Sequence, residues 1–246
     1  MTFWEHLDQL RGLVLRSLGA VVVLMLPIFF LKEFLFDRII FAPARADFFL
    51  YKLLGTSFAL DIINVDMASQ FFVHLRVTFL VSLIVTVPYI IYCIWKFVSP
   101  ALYESEKNAV KIGFMLSSLL FYIGVAVGYC IVFPLTVRFL GNYQVSESIP
   151  NTISLDSYIS MFLSLILIMG LVFELPAVAV ALSRLGFINR KMLVKVRKYA
   201  VVAALILSAV ITPSGDAFTM LVVAAPLYLL YEFSILLTKI VTDDSN

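Results

Sequence analysis

The sequence predicts an all-α integral membrane protein with six transmembrane helices, kinked and curved, with both termini in the cytoplasm. Three observations predict it. Apolar residues make up 62% of the 246-residue chain and charged residues only 14%, against about 45–50% and about 25% in ordinary soluble domains. A soluble globule of this length cannot hide so much apolar surface, whereas lipid can. The apolar residues also fall into six runs, and the densest basic cluster lies between the fourth and the fifth. The net charge of +2, with no basic stripe of interleaved aromatics, argues against nucleic acid as a partner.

Spanning about 30 Å of hydrocarbon takes roughly 20 residues at about 1.5 Å each. The first run, 13–31, meets that length. It follows the polar opening Glu5-His6-Leu7-Asp8-Gln9 with no small-residue cleavage site, so it is expected to stay as an anchor. The runs 77–95, 112–137 and 158–182 are also long enough. The fifth, 199–211, is short, and only Thr212-Pro213-Ser214-Gly215-Asp216 separates it from the sixth, 218–237. That pair reads as a helical hairpin that thins the bilayer locally. Pro27, Pro88, Pro134, Pro176 and Pro226 fall inside the runs. Each removes a backbone donor and bends its helix, which gives a curved molecule rather than a straight bundle.

Arg184, Arg190, Lys191, Lys195, Arg197 and Lys198 mark the segment before the fifth run as cytoplasmic. Counting outward gives a single membrane domain over 1–246. Its cytoplasmic parts are the N-terminal segment 1–12, the loops 96–111 and 183–198, and the tail 238–246. The periplasmic segments are 32–70 and 138–157. Lys32, Arg38, Arg45 and Lys52 lie in the first of these, diluted by Glu33, Asp37, Asp47, Asp61 and Asp66.

Enzymatic readings find no support in the residues. Only His6 and His74 are available, with no zinc-binding His-Glu-x-x-His helix, Gly-rich phosphate loop or nucleophile elbow. Cys93 and Cys130 sit in apolar stretches without metal-ligand spacing, so no metal or cofactor is expected. Acidic groups are the informative ones. Glu174 stands inside the fourth run, and an ionised carboxylate at that depth costs on the order of 3 kcal/mol or more. It therefore faces protein or a wet cavity, or it keeps its proton. Glu232 lies near the cytoplasmic end of the sixth run, within snorkelling reach. Asp8, Glu104 and Glu106 face the cytoplasm, and such loop carboxylates are mostly solvated surface. Two acidic segments brought together would nonetheless suit an arginine-rich ligand, because guanidinium pairs bidentately with carboxylate. Asp216 reads as a turn residue or helix cap.

Several stretches carry a family resemblance. His6-Leu7-Asp8-Gln9-Leu10-Arg11 resembles the N-terminal His-Leu-x-Glu-Leu-Arg signature of the TatC family. The stretch from Pro88 to Phe97, followed by Pro100-Ala101-Leu102-Tyr103-Glu104-Ser105-Glu106, is similar to that family's second helix and first cytoplasmic loop. Phe121-Tyr122-Ile123-Gly124 with Tyr129 and Phe133-Pro134, then Phe173-Glu174-Leu175-Pro176, Thr212-Pro213-Ser214-Gly215-Asp216 and Pro226-Leu227-Tyr228 complete the series in order. The resemblance implies recognition of twin-arginine signal peptides on folded exported proteins at the bacterial inner membrane. It also implies assembly with single-span TatA- and TatB-type partners, self-association, and transport driven by the proton-motive force. Carried over by position, Glu106 matches the acidic residue that receives the arginine pair. Arg11, Phe97, Leu102, Tyr103 and Tyr129 match other positions in or around that site, Glu174 the intramembrane glutamate of the concave face, and Asp216 the outer acidic residue. Two positions depart: the signature's acidic residue is Gln9, and the glutamine usual after Tyr92 is Cys93. Gln9 removes one of the two carboxylates that the arginines would meet, leaving Asp8 beside it on the helix.

From the residues alone, a second reading is a proton-coupled small-solute transporter with Glu174 and Glu232 as protonation sites. A structural membrane scaffold is a third.

Overall fold

The computed structural model describes residues 3–101, 104–146, 151–184, 186–212 and 215–243, with side chains left undescribed at 3, 5–6, 101, 104–112, 184 and 239–243. Nearly all of it is helix. Helix α1 (Phe3–Phe30) leads through a π-helical turn at Phe34–Ile40 and a short 3-10 turn into α2 (Phe49–Leu53) and the two-residue strand β1 (Ile62–Ile63). Then come α3 (Ser69–Val98), α4 (Glu104–Val127), a π stretch at Gly128–Val132, and α5 (Phe133–Asn142). Strand β2 (Ile153–Ser154), α6 (Leu155–Val172), α7 (Leu175–Arg184), α8 (Arg190–Lys195), α9 (Arg197–Ile211) and α10 (Ala217–Asp243) follow. Five stretches are long and apolar enough to cross a membrane: 7–30, 69–98, 113–142, 155–183 and 217–238. The fifth predicted run forms α9, whose 15 residues reach only about 22 Å.

The N-terminal segment expected to precede the first span forms roughly its first three turns, because α1 starts at Phe3. The second span starts at Ser69, eight residues before the apolar run suggested. Polar residues here extend the helix instead of ending it: the Thr78, Ser82 and Thr86 hydroxyls donate to the carbonyls of His74, Thr78 and Ser82 at 2.7, 2.7 and 2.6 Å. Each is satisfied within its own helix, so a buried hydroxyl stripe costs little.

The prolines divide into two kinds. Pro27, Pro88 and Pro226 lie inside continuous helices. Pro134 and Pro176 instead stand at the starts of α5 and α7, after a π stretch and a turn. The first turn of a helix needs no donor from the proline nitrogen, so interruption just before it removes the conflict. The fourth span is therefore two helices, broken at Phe173–Glu174.

Close approach of α4 to α6 depends on glycine. A Cβ on Gly124 would lie 2.5 Å from the Met169 carbonyl oxygen, and one on Gly170 2.7 Å from the Phe121 ring. Such small residues let helices in lipid gain van der Waals contact, the main force available there.

The segment joining α1 to α3 is held to the spans by tyrosines. Tyr158 donates to the Ile40 carbonyl at 2.7 Å, Tyr129 to Ile39 at 2.9 Å, and Tyr51 to Pro43 at 2.7 Å and Pro134 at 3.2 Å. Burial pushes the Tyr51 phenol above its ordinary range. Strands β1 and β2 pair in parallel, Ile62 opposite Ile153 and Ile63 opposite Ser154. Phe133 packs edge-on to Tyr158 and Phe162 at the centre of this cluster.

Candidate functional site

Helices α1 and α3 run antiparallel. His74 bonds to the Phe29 carbonyl at 3.1 Å and stacks on the Phe29 ring, while Arg16 lies within electrostatic reach of Tyr89. Continued by two turns, that register brings Asp8 and Gln9 level with the end of α3 near Phe97. Asp8, Gln9 and Arg11 are exposed, and Phe97 is half-buried. Helix α4 returns beside α3, with Trp95 against Phe114 at 5.4 Å and the Tyr122 hydroxyl donating to Ile84 at 3.2 Å. Glu106 is in the first turn of α4, at this same end of the molecule, with its side chain among those left undescribed. Leu102 and Tyr103 lie outside the described residues.

Tyr129 is not brought to this end. It stands 23 residues beyond Glu106, roughly 35 Å along the helical path. Its hydroxyl is bonded to Ile39, and its ring meets Phe48 and Phe162 edge-on.

Glu174 sits at the break between α6 and α7. Its amide donates to Leu171 at 3.1 Å and its carbonyl accepts from Val178 at 3.0 Å, so it ends one helix and opens the next. The amino end of α7 favours a negative group at that position. Ser117 of α4 donates to Glu174 Oε2, while Oε1 is buried with no hydrogen-bond partner among the described residues. Ser117 was missed by sequence reasoning; a serine inside an apolar run opposite the lone glutamate was the available signal.

Glu232 lies elsewhere and is fully engaged. Arg197 of α9 donates to its Oε2 at 2.6 Å and Tyr228, one turn earlier on α10, to its Oε1 at 2.9 Å. The i, i+4 spacing of Tyr228 and Glu232 could have suggested the pair; Arg197 could not be read from sequence. This pairing lends no support to the solute-transporter reading. Asp216 caps α10, its Oδ1 accepting from the Thr219 amide at 2.7 Å. Among the described residues no three His, Cys, Asp or Glu side chains converge as metal ligands.

Residues 5–226 match the family model of the Sec-independent protein translocase protein TatC. The chain is 35% identical to the TatC protein of Blattabacterium sp. subsp. Periplaneta americana, covering 96% of this chain and 94% of that one. It is also 35% identical to TatC of Escherichia coli K12, over 95% of this chain and 86% of the relative. A crystal structure of the twin-arginine translocase receptor TatC superposes with a TM-score of 0.78 at 32% identity, covering 96% of this chain and 99% of that one. These matches place the chain among multi-pass inner-membrane components of the Sec-independent translocase. With the family model matching residues 5–226 and relatives and a solved structure covering nearly its full length, the chain belongs to the TatC family.

Proposed function

We propose that the chain receives twin-arginine signal peptides of folded cargo at the end where α1, α3 and the start of α4 meet. The arginine pair meets Glu106 with Gln9 and Asp8 alongside, and Arg11, Phe97, Leu102 and Tyr103 frame the site. The observation that carries this reading is the exposure of Asp8, Gln9 and Arg11 on α1, level with Phe97. TatA- and TatB-type single-span partners dock on the membrane face near Glu174, whose Oε1 is buried with no hydrogen-bond partner among the described residues. The chain self-associates and works with the proton-motive force.

In this reading α9 is the fifth of six spans, both termini are cytoplasmic, and the domain is the single unit 1–246 with the segment limits given above. Support comes from the basic residues around α8 and from the α9–α10 pairing through Arg197 and Glu232. Cysteines introduced at Ser57 and Asn151 should react with an impermeant thiol reagent from the periplasmic side, and one at Asn189 should not. Reaction of all three from one side overturns that topology.

Peptide affinity tests the site. Glu106→Gln should weaken twin-arginine peptide binding by on the order of 2–3 kcal/mol, the scale for losing one partner of a bonded charge pair. Asp8→Asn should cost much less, because on a helix it points about 100° away from Gln9. Gln9→Glu should tighten binding with a steeper salt dependence. Affinities at two ionic strengths decide it. Asp8→Asn as the most damaging change would mean that the amino-terminal turn of α1 is rotated from the proposed arrangement.

A further inference from the structure

At the other end of the molecule, a cavity of about 750 Å³ opens between the end of α1, the π-helical turn, β1 and the start of α3. Its size is within the range of small-molecule sites, about 300–1,000 Å³. Four charged side chains line it: Lys32, Glu33, Asp37 and Arg45. All four are exposed, and among the described residues neither cation is ion-paired with either carboxylate. Behind them the wall is apolar, with Phe36, Phe41, Val73 and Leu155. His74 closes the back, its ring fixed by the Phe29 carbonyl and the Phe29 stack.

The level of the cavity narrows the ligand. Lys32 and Glu33 come two and three residues after the last residue of the first span, and Gln70 and Phe71 belong to the first turn of the second. Side chains at those positions lie where hydrocarbon gives way to lipid headgroups. Phe71, 59% exposed, continues the apolar lining toward the lipid. The charge pattern narrows it further. A purely anionic headgroup would satisfy Lys32 and Arg45 while facing Glu33 and Asp37 with a like charge. A group carrying both signs satisfies all four.

We propose that this cavity binds the headgroup of a zwitterionic phospholipid of the phosphoethanolamine type. Its phosphate meets Lys32 and Arg45, its ammonium meets Glu33 and Asp37, and the upper acyl chain lies against Phe36 and Phe71. Headgroup selection of this kind fixes the segment between α1 and α3 to the bilayer surface and makes its order depend on lipid composition.

The test uses the full chain in nanodiscs of equal parts phosphatidylethanolamine and phosphatidylglycerol, extracted gently into detergent, with retained lipid counted by native mass spectrometry. Wild type should retain phosphatidylethanolamine over phosphatidylglycerol by at least about threefold, the scale of one or two modest charge contacts. The double variant Glu33→Gln/Asp37→Asn should lose that preference, and Lys32→Gln/Arg45→Gln should lose retention of both lipids. All four side chains are exposed, so the variants should unfold at the wild-type temperature, which is checked in the same samples. Retention in the bulk ratio by wild type overturns the assignment. So does a wild-type preference in both double variants, or a retained peptide in place of lipid. A symmetric bilayer makes the readout independent of orientation and of peptide binding at the opposite end.

Discussion

Along α3 the two ends of the molecule differ sharply. Ser69, Val73, Val77, Thr78, Leu80, Ser82 and Thr86 are buried, and none of the residues from 87 to 98 is. Helix α4 repeats the contrast, since its described side chains are not buried until Phe121, whereas α1 is exposed or half-buried along its length, with Val21 alone buried among its described side chains. The end nearest β1 and β2 is a packed cluster of interlocked aromatics and bonded tyrosines, while the end carrying Asp8, Gln9 and Phe97 leaves its helix faces uncovered. Apolar side chains gain little from leaving lipid, so each helix contact must come from close packing or hydrogen bonds. The looser packing at the end carrying Asp8, Gln9 and Phe97 fits the peptide site proposed there, and the packed end holds it in position.

Three comparisons would break or sharpen this contrast. Phe133→Ala should be the most damaging. The site is fully buried, and the void alone should cost about 2–3 kcal/mol at roughly 24 cal/mol per Å³. Tyr92→Ala, at 58% exposure on the open end, should stay within about 0.5 kcal/mol. Thermal unfolding in detergent compares them, and equal losses would mean that the open end is packed too.

Gly124→Ala comes next, at about 1–2 kcal/mol from overpacking, because the added methyl meets backbone 2.5 Å away. Gly12→Ala meets nothing within 4 Å and should leave stability unchanged or slightly raise it through helix propensity. Abundance in membranes and unfolding temperature read both.

The smallest effect is a pH dependence confined to the packed end. The Tyr51 phenol is raised in the folded protein, so its contribution is complete below the unfolded value of about 10 and is lost as pH rises through the folded value. Tyr51→Phe should lower stability at pH 8 by about 1 kcal/mol through the lost hydrogen bond. It should also flatten the decline between about pH 10 and 11. An unchanged alkaline slope would take Tyr51 out of the titration.

The spans were legible because apolar length is a property of the local sequence: each of the six runs became helix. The break at Phe173–Glu174 was less so. Pro176 signalled a bend, but whether a proline kinks a helix or restarts one depends on neighbours such as Ser117 across the interface. The early start of α3 was hidden because Ser69, Gln70, His74 and Arg76 read as polar flank, yet Arg76 pairs with Asp156 of α6 at 2.9 Å. Family motifs led to most of the candidate site. Tyr129 shows the limit of position-by-position transfer: its place late in the run 112–137 already set it far from the 96–111 loop, and its hydroxyl is bonded to Ile39 instead.

The parallel pairing of β1 with β2 has a consequence for biogenesis. It joins Ile62 to Ile153, and Tyr158 similarly reaches back to Ile40. Spans emerge from the ribosome in order, so under the topology proposed above the segment between the first two waits in the exported compartment through two further crossings before its partners arrive. Such distant pairings form late. Closure of this cap therefore reports that the fourth span has been threaded in the correct direction. A reversed insertion would strand β2 on the far side of the bilayer and leave an unfinished surface for quality-control proteases.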